Sequence, residues 1–163
     1  MKLDITSALN SEGEHFSFAV ASNSLEGESS FQFPRPLEIN GSYVYEHKLL
    51  TVAGHVSTSL AVNCSRCLRA MEYPVELDFT AVFAKQPEEN EEEQQYSLDG
   101  SSVLLDKPIA DEISLSLPYQ YLCKADCKGL CPVCGADRNQ VECGCDTEIK
   151  KDNPFAQLKG LFD

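Results

Sequence analysis

Eight cysteines carry the most specific chemistry in this chain: Cys64, Cys67, Cys123, Cys127, Cys131, Cys134, Cys143 and Cys145. They come in pairs, with two residues between Cys64 and Cys67, three between Cys123 and Cys127, two between Cys131 and Cys134, and one between Cys143 and Cys145. Two thiolates so spaced can curl around one ion, and zinc takes four soft ligands at tetrahedral corners about 2.3 Å away. Pro132 narrows the turn of the third pair, while Gly135 and Gly144 let backbone amides approach sulfur without a Cβ clash. The spacing favours Cys131, Cys134, Cys143 and Cys145 on one ion and Cys64, Cys67, Cys123 and Cys127 on a second, for two zinc ions. Another partition, with Cys127 in the C-terminal site and one cysteine left free, stays open on spacing alone. Iron could also occupy a four-thiolate site, although closed knuckles favour zinc.

Other uses of these cysteines fit less well. Core filler would scatter rather than cluster. A disulfide framework requires an oxidising compartment. Met1 to Asn10 lacks the basic-then-apolar pattern of a secretion signal, and no stretch approaches the roughly 20 apolar residues of a membrane span. The expected address is therefore the cytosol, for a soluble protein. A thiol oxidoreductase expects a thioredoxin-like βαβ context with one thiol at a helix N-terminus. Cys64 and Cys67 instead sit between two strand patterns, which leaves a zinc-ejecting redox switch as the variant of that reading. Catalytic zinc keeps an open position and usually has histidine or carboxylate ligands. His15, His47 and His55 fall at polar strand and turn positions, and no HExxH, Ser/His/Asp order or phosphate loop is present. The chain reads as a non-catalytic metal-binding protein.

These pairs must be positioned by the elements between them. Leu50, Val52, Val56, Thr58, Leu60, Val62 and Cys64 alternate with His55, Ser57, Ser59 and Asn63, and Val75, Leu77, Phe79, Ala81 and Phe83 alternate with Glu76, Asp78 and Thr80. Period two marks strands. The two runs read as one long hairpin whose tip, 64–70, carries Cys64 and Cys67, with Gly54 at a bulge or bend. Shorter strand pieces are expected at 16–20, 31–33, 37–39 and 43–45, and a turn at Leu98-Asp99-Gly100. A short helix is expected over 107–117, capped by Asp106, with Pro108 in its first turn, Ile109 and Ile113 on one face and Pro118 as its end. A second is expected from Asn153-Pro154, with Phe155, Leu158 and Phe162 as its stripe. The fold class is α+β: a mainly antiparallel β-sheet with a long hairpin, two short helices and a C-terminal zinc-knuckle region.

At 163 residues the chain can bury a real core. It divides into a β-rich domain, 1–119, and a cysteine-rich zinc-binding region with the second helix, 120–163, packed on the first. The formal net charge is −13, with 7 basic and 19 acidic side chains in 1–119 against 6 and 7 in the remainder. Each filled four-cysteine site adds a further −2. Such a chain gains little from counterion release on a phosphate backbone, so a basic protein partner is favoured over direct nucleic-acid binding. The run 86–95 reads as a solvated acidic loop. Lys124, Lys128, Arg138, Lys150 and Lys151 near the knuckles keep an RNA-binding zinc-ribbon reading alive. Arg66 and Arg69 are expected to shield thiolate charge.

The CSRCL run (Cys64 to Leu68), DEISLSLP (Asp111 to Pro118), CKADCKGLCPVCGADRN (Cys123 to Asn139), CGC (Cys143 to Cys145) and NPFAQL (Asn153 to Leu158) together resemble the YceD family. The resemblance covers most of the chain from residue 60 onward. It implies a non-enzymatic role in large ribosomal subunit biogenesis and accumulation of 23S rRNA. The frequent neighbourhood of such genes with that of a small basic large-subunit ribosomal protein implies that protein, or a pre-ribosomal particle, as partner. Family members differ in how many C-terminal cysteines they keep.

Overall fold

Alternation of apolar and polar side chains at period two places one set of residues on each face of a pleated strand. In the computed structural model, which describes residues 1–27, 31–87 and 94–145, the order is β1 (Lys2–Asp4), α1 (Thr6–Asn10), β2 (His15–Ser22), β3 (Leu37–Glu46), β4 (Leu49–Asn63), β5 (Ala70–Ala84), β6 (Gln95–Ser97), β7 (Ser102–Leu104) and α2 (Asp106–Ser116). Five strands form one sheet in the order β2-β3-β4-β5-β6, and β1 pairs with β7 in a separate two-stranded sheet. β2 and β3 pair antiparallel, as do β3 and β4. β6 runs parallel to β5, with Val82 opposite Gln95. The larger sheet is therefore mixed rather than purely antiparallel. A parallel neighbour needs a connection of about a dozen residues, and the stretch from Ala84 to Gln95 supplies one of that order.

The described residues form two compact units: Met1–Val62 with Ala70–Tyr119, and Asn63–Arg69 with the described chain from Gln120 onward. The first unit holds the apolar core. Leu37 and Ile39 of β3, Leu50, Val52, Val56 and Leu60 of β4, and Val75, Phe79, Ala81 and Phe83 of β5 are buried with Ile109, Ala110 and Ile113 of α2. Full burial of such a side chain contributes at most about 1.5–3 kcal/mol. None of the eight cysteines belongs to this core.

Several local expectations change. β3 is one ten-residue strand rather than two pieces. It passes through Gly41, which stands opposite Gly54. A Cβ on Gly41 would lie 2.2 Å from the Ala53 carbonyl oxygen, so the glycine marks a close backbone approach, not a break. Residues 31–33 join no strand, but Phe31 and Phe33 contact each other and pack on the core as partly buried rings. Asp106 does not cap α2: Leu105 is the N-cap residue, without a side-chain bond. Buried Asp106 instead accepts the Glu26 backbone N–H at 2.8 Å and ion-pairs with the Met1 ammonium. The elements β1, α1, β6 and β7 span three to five residues each, too few to display a period. The expected helix from Asn153 and residues 88–93 of the acidic run lie outside the described residues. Among the described residues no helix is long and apolar enough to cross a membrane.

On the outer face of the sheet, His55 of β4 meets two carboxylates of β5, Nδ1 to Asp78 Oδ1 at 2.9 Å and Nε2 to Glu76 Oε2 at 3.6 Å. The Asp78 contact, aided by Glu76, outweighs desolvation and raises the imidazole pKa. A raised folded value means that the imidazolium contributes to stability below the unfolded value of about 6.5 and that the contribution fades as pH rises through the folded value. The ring is partly exposed, so the effect on stability is small. NMR titration of His55 is expected to give a midpoint above that of a free imidazole, and Asp78→Asn to lower it. An unchanged midpoint in the variant would contradict the pairing.

Candidate metal centre

The second unit is built on two knuckles with the same backbone hydrogen bonds. At the first, the Cys64 N–H donates to the Arg69 carbonyl at 2.9 Å and the Leu68 N–H to the Cys64 carbonyl at 2.9 Å. At the second, the Cys131 N–H donates to the Ala136 carbonyl at 2.8 Å and the Gly135 N–H to the Cys131 carbonyl at 2.9 Å. Donor and acceptor offsets match. So does the backbone: the residue after the second cysteine is left-handed in both, Leu68 at φ 59° and Gly135 at φ 73°. Glycine adopts that conformation freely, whereas an L side chain meets a steric cost of about 1–2 kcal/mol. Leu68 bears it while remaining 64% exposed.

Long-range contacts bring the remaining cysteines to these turns. The Ser65 N–H donates to the Tyr121 carbonyl at 2.7 Å and the Tyr121 N–H returns to Ser65 Oγ at 3.0 Å. The Leu130 N–H donates to the Arg66 carbonyl at 3.1 Å. Gly129, at φ 70°, lets the chain pass, since a Cβ there would stand 3.0 Å from that same carbonyl.

The eight sulfurs thereby fall into two quartets, Cys64, Cys67, Cys123, Cys127 and Cys131, Cys134, Cys143, Cys145, within each of which all Sγ atoms lie within 4.8 Å of one another. This is the partition that pair spacing favours. Cys64 and Cys127 are 3.8 Å apart, and Cys67 and Cys123 3.6 Å. A tetrahedron with arms of about 2.3 Å has edges of about 3.8 Å, whereas a disulfide would need about 2.05 Å. All eight cysteines are free. Both quartets could hold a metal ion, and their donor set of four soft sulfurs fits zinc. In the first, Cys64, Cys67 and Cys127 are buried; in the second only Cys131 is, and Cys134 is exposed.

Electrostatics sharpen the fit. Backbone N–H groups of Cys67, Cys123 and Arg66 hold the Cys64 thiol down to about 6, and those of Cys134 and Val133 do the same for Cys131. Burial pushes Cys127 up, but the Gly129 N–H, the Asn139 amide and neighbouring thiols bring it below its ordinary value. Other members shift upward. Burial and the Cys127, Cys67 and Cys64 thiols raise Cys123 to about 12, and the Cys134 thiol with burial raises Cys145 to about 12. Each quartet thus holds at least one thiol shifted down by backbone N–H groups and at least one shifted up by burial and its neighbours, and a divalent cation among them would favour all four thiolates.

The surrounding side chains differ from expectation. The Arg66 guanidinium donates to the Cys127 carbonyl at 3.0 Å and Arg69 Nη2 contacts Asp137 Oδ2 at 3.4 Å, so both arginines engage oxygen atoms instead of thiolates. Asn139 was not legible as a site residue: its Nδ2–H donates to Cys127 Sγ at 3.4 Å. Only its place in a polar run between the last two cysteine pairs hints at this. His15, His47 and His55 belong to neither quartet. Lys124 contacts Asp126, and Lys128 and Arg138 line a cleft of about 230 Å³ with Val141, Glu142 and Cys143. Lys150 and Lys151 lie outside the described residues.

Fold and site together define a β-sheet protein bearing a unit of two cysteine quartets on matched knuckles. Residues 52–162 match the family described as large ribosomal RNA subunit accumulation protein YceD, and the chain belongs to that family. It is similar to an uncharacterized protein of Mycobacterium tuberculosis, 34% identical over 88 residues, covering 52% of this chain and 42% of that protein. A Mycobacterium leprae counterpart is 32% identical over 89 residues, covering 52% and 41%. The chloroplastic large ribosomal RNA subunit accumulation protein YCED homolog 1 of Arabidopsis thaliana is 25% identical over 156 residues, covering 77% and 48%. The chain spans less than half the length of these curated relatives. No solved structure matches it.

The unequal knuckles generate a paired prediction. Leu68→Gly is expected to stabilise the chain by up to about 1 kcal/mol in chemical denaturation, and Gly135→Ala to destabilise it by about 1 kcal/mol. A loss of stability in Leu68→Gly would show that the leucine side chain holds the first knuckle together.

Proposed function

We propose that the chain is a non-catalytic factor in large ribosomal subunit biogenesis, needed for accumulation of 23S rRNA, with zinc in both quartets as structural metal. The observation that carries this reading is the family match over residues 52–162, together with the similarity to the Arabidopsis thaliana large ribosomal RNA subunit accumulation protein homolog. Four thiolates close a tetrahedral shell and leave no position for substrate or water, which supports a structural rather than catalytic metal. We place the protein in the cytoplasm and divide it into a β-rich domain, 1–119, in which β4 and β5 act as a hairpin, and a zinc-binding region, 120–163.

The proposed partner is a basic large-subunit ribosomal protein or a pre-ribosomal particle containing one. Charge supports it: the chain carries a formal −13, and two filled quartets would deepen that. On the outer sheet face, Glu38 of β3 and Glu72 and Glu76 of β5 line a groove of about 500 Å³ with Arg35, Ser57 and Ser59. Arg35 pairs with Glu72 at 3.2 Å, leaving a net acidic surface suited to lysine and arginine side chains. Direct RNA binding is the second reading, favoured by Lys128 and Arg138 at their shared cleft. The overall charge weighs against it. A thiol redox switch is less supported, since both quartets have spacings suited to a metal shell.

Depletion of the protein is expected to lower large-subunit rRNA relative to small-subunit rRNA, scored under slow, cold and fast growth. A pull-down from cells accumulating large-subunit precursors is expected to recover a basic ribosomal protein in a salt-sensitive manner. Unchanged rRNA in all three regimes would overturn the role. Salt-sensitive capture of rRNA fragments by the purified chain, with no protein partner, would move the assignment to RNA binding.

A further inference from the structure

Asn139 lies in the loop joining the two pairs of the second quartet, yet its side chain serves the first. One Nδ2 proton is directed to Cys127 Sγ at 3.4 Å and the other to Asp137 Oδ1 at 2.7 Å, while Oδ1 accepts the Lys128 backbone N–H at 2.9 Å. These contacts determine the amide's orientation. Flipped, it would set its carbonyl oxygen against both a sulfur and a carboxylate and leave the Lys128 N–H facing a donor. Asp137 fixes the residue further by accepting the Asn139 backbone N–H at 2.9 Å.

What holds that loop in place is the second knuckle. The Cys131 N–H donates to Ala136, next to Asp137, and Leu130 bridges to Asp137 across the turn. The Asp137 carbonyl accepts the N–H groups of Gln140 at 2.9 Å and Val141 at 3.0 Å. The loop is thus bounded by Cys134 on one side and Cys143 on the other, and presents Asn139 to a ligand of the other quartet. Arg69, at the base of the first knuckle, reaches back to Asp137.

We propose that Asn139 is a positioning residue that couples the two metal sites: a metal at Cys131, Cys134, Cys143 and Cys145 fixes the 135–142 loop, and the loop's amide then steadies the Cys127 thiolate and tightens metal binding at the first quartet. This rests on the reading of both quartets as metal sites. Linkage makes the effect reciprocal, so loading the first quartet favours the second. Residues hydrogen-bonded to metal ligands typically shift metal affinity by about 10- to 100-fold when removed.

The test is stepwise removal of zinc from the full chain by a chromophoric chelator, with cobalt(II) in a parallel sample to report four-thiolate coordination through its charge-transfer band. Asn139→Ala keeps all eight sulfurs and is expected to lower the zinc affinity read from one of the two release steps by about tenfold or more. Cys134→Ser disables the second quartet at its exposed member and is expected to weaken the remaining, first-quartet metal by a similar factor. Adding Asn139→Ala to Cys134→Ser should then change little, because the loop no longer presents the amide. Asn139→Asp separates the roles: it keeps an acceptor for Lys128 but faces Cys127 with a carboxylate, so it should bind metal no better than Asn139→Ala. Circular dichroism of the sheet checks that each variant is folded.

First-quartet affinity within about twofold of wild type in Cys134→Ser, or fully multiplicative effects in the double variant, would overturn the coupling while leaving two metal sites standing. Near-wild-type affinity in Asn139→Asp would assign Asn139 to loop capping alone and equally overturn it. A wild-type chain that takes up no metal would overturn the proposal together with the metal reading beneath it.

Discussion

Four sulfurs held within 4.8 Å of one another cannot all become anions unless a cation sits among them. The second unit is organised around that constraint. Backbone amides lower the pKa of Cys64 and Cys131, while burial and neighbouring thiols raise those of Cys123 and Cys145. The matched knuckles, the left-handed residues behind them and the Asn139 amide all serve to place sulfur where a divalent ion would gather it. With zinc bound, each quartet would carry a formal −2, so the unit adds negative charge to a chain that is already acidic.

The two units make different demands on the sequence. Burial alone accounts for the β-rich unit, in which β3, β4, β5 and α2 share one apolar core. The cysteine unit has no comparable core among its described residues; its buried positions there are Cys64, Cys67, Cys127, Gly129 and Cys131 rather than large apolar side chains. Knuckle backbone bonds and sulfur geometry take the place of packing.

What was legible in the sequence follows from how local each signal is. Period-two alternation over β4 and β5 shows through because fifteen residues give several repeats. Cysteine pairs declare themselves by spacing, so the two quartets could be anticipated as groupings. The pieces expected at 37–39 and 43–45 are one strand, and the reason for Gly41 between them is the backbone of Ala53 and Gly54 across the ladder, which no local pattern encodes. Asp106 resembles a cap in sequence, but its partners are Glu26 and Met1, far along the chain. The parallel placement of β6 and the reach of Asn139 to Cys127 are long-range facts that no local pattern encodes. The same holds for Arg66 and Arg69, whose oxygen partners emerge only once the knuckle has folded.

The most direct measurement of the central claim is native mass spectrometry of the full chain, purified without chelator, beside a thiol count on the same sample. The account predicts a mass increment of two zinc ions per chain and eight thiols that become reactive only after the metal is withdrawn. A folded chain of bare polypeptide mass, with its thiols freely reactive or joined as disulfides, would contradict it.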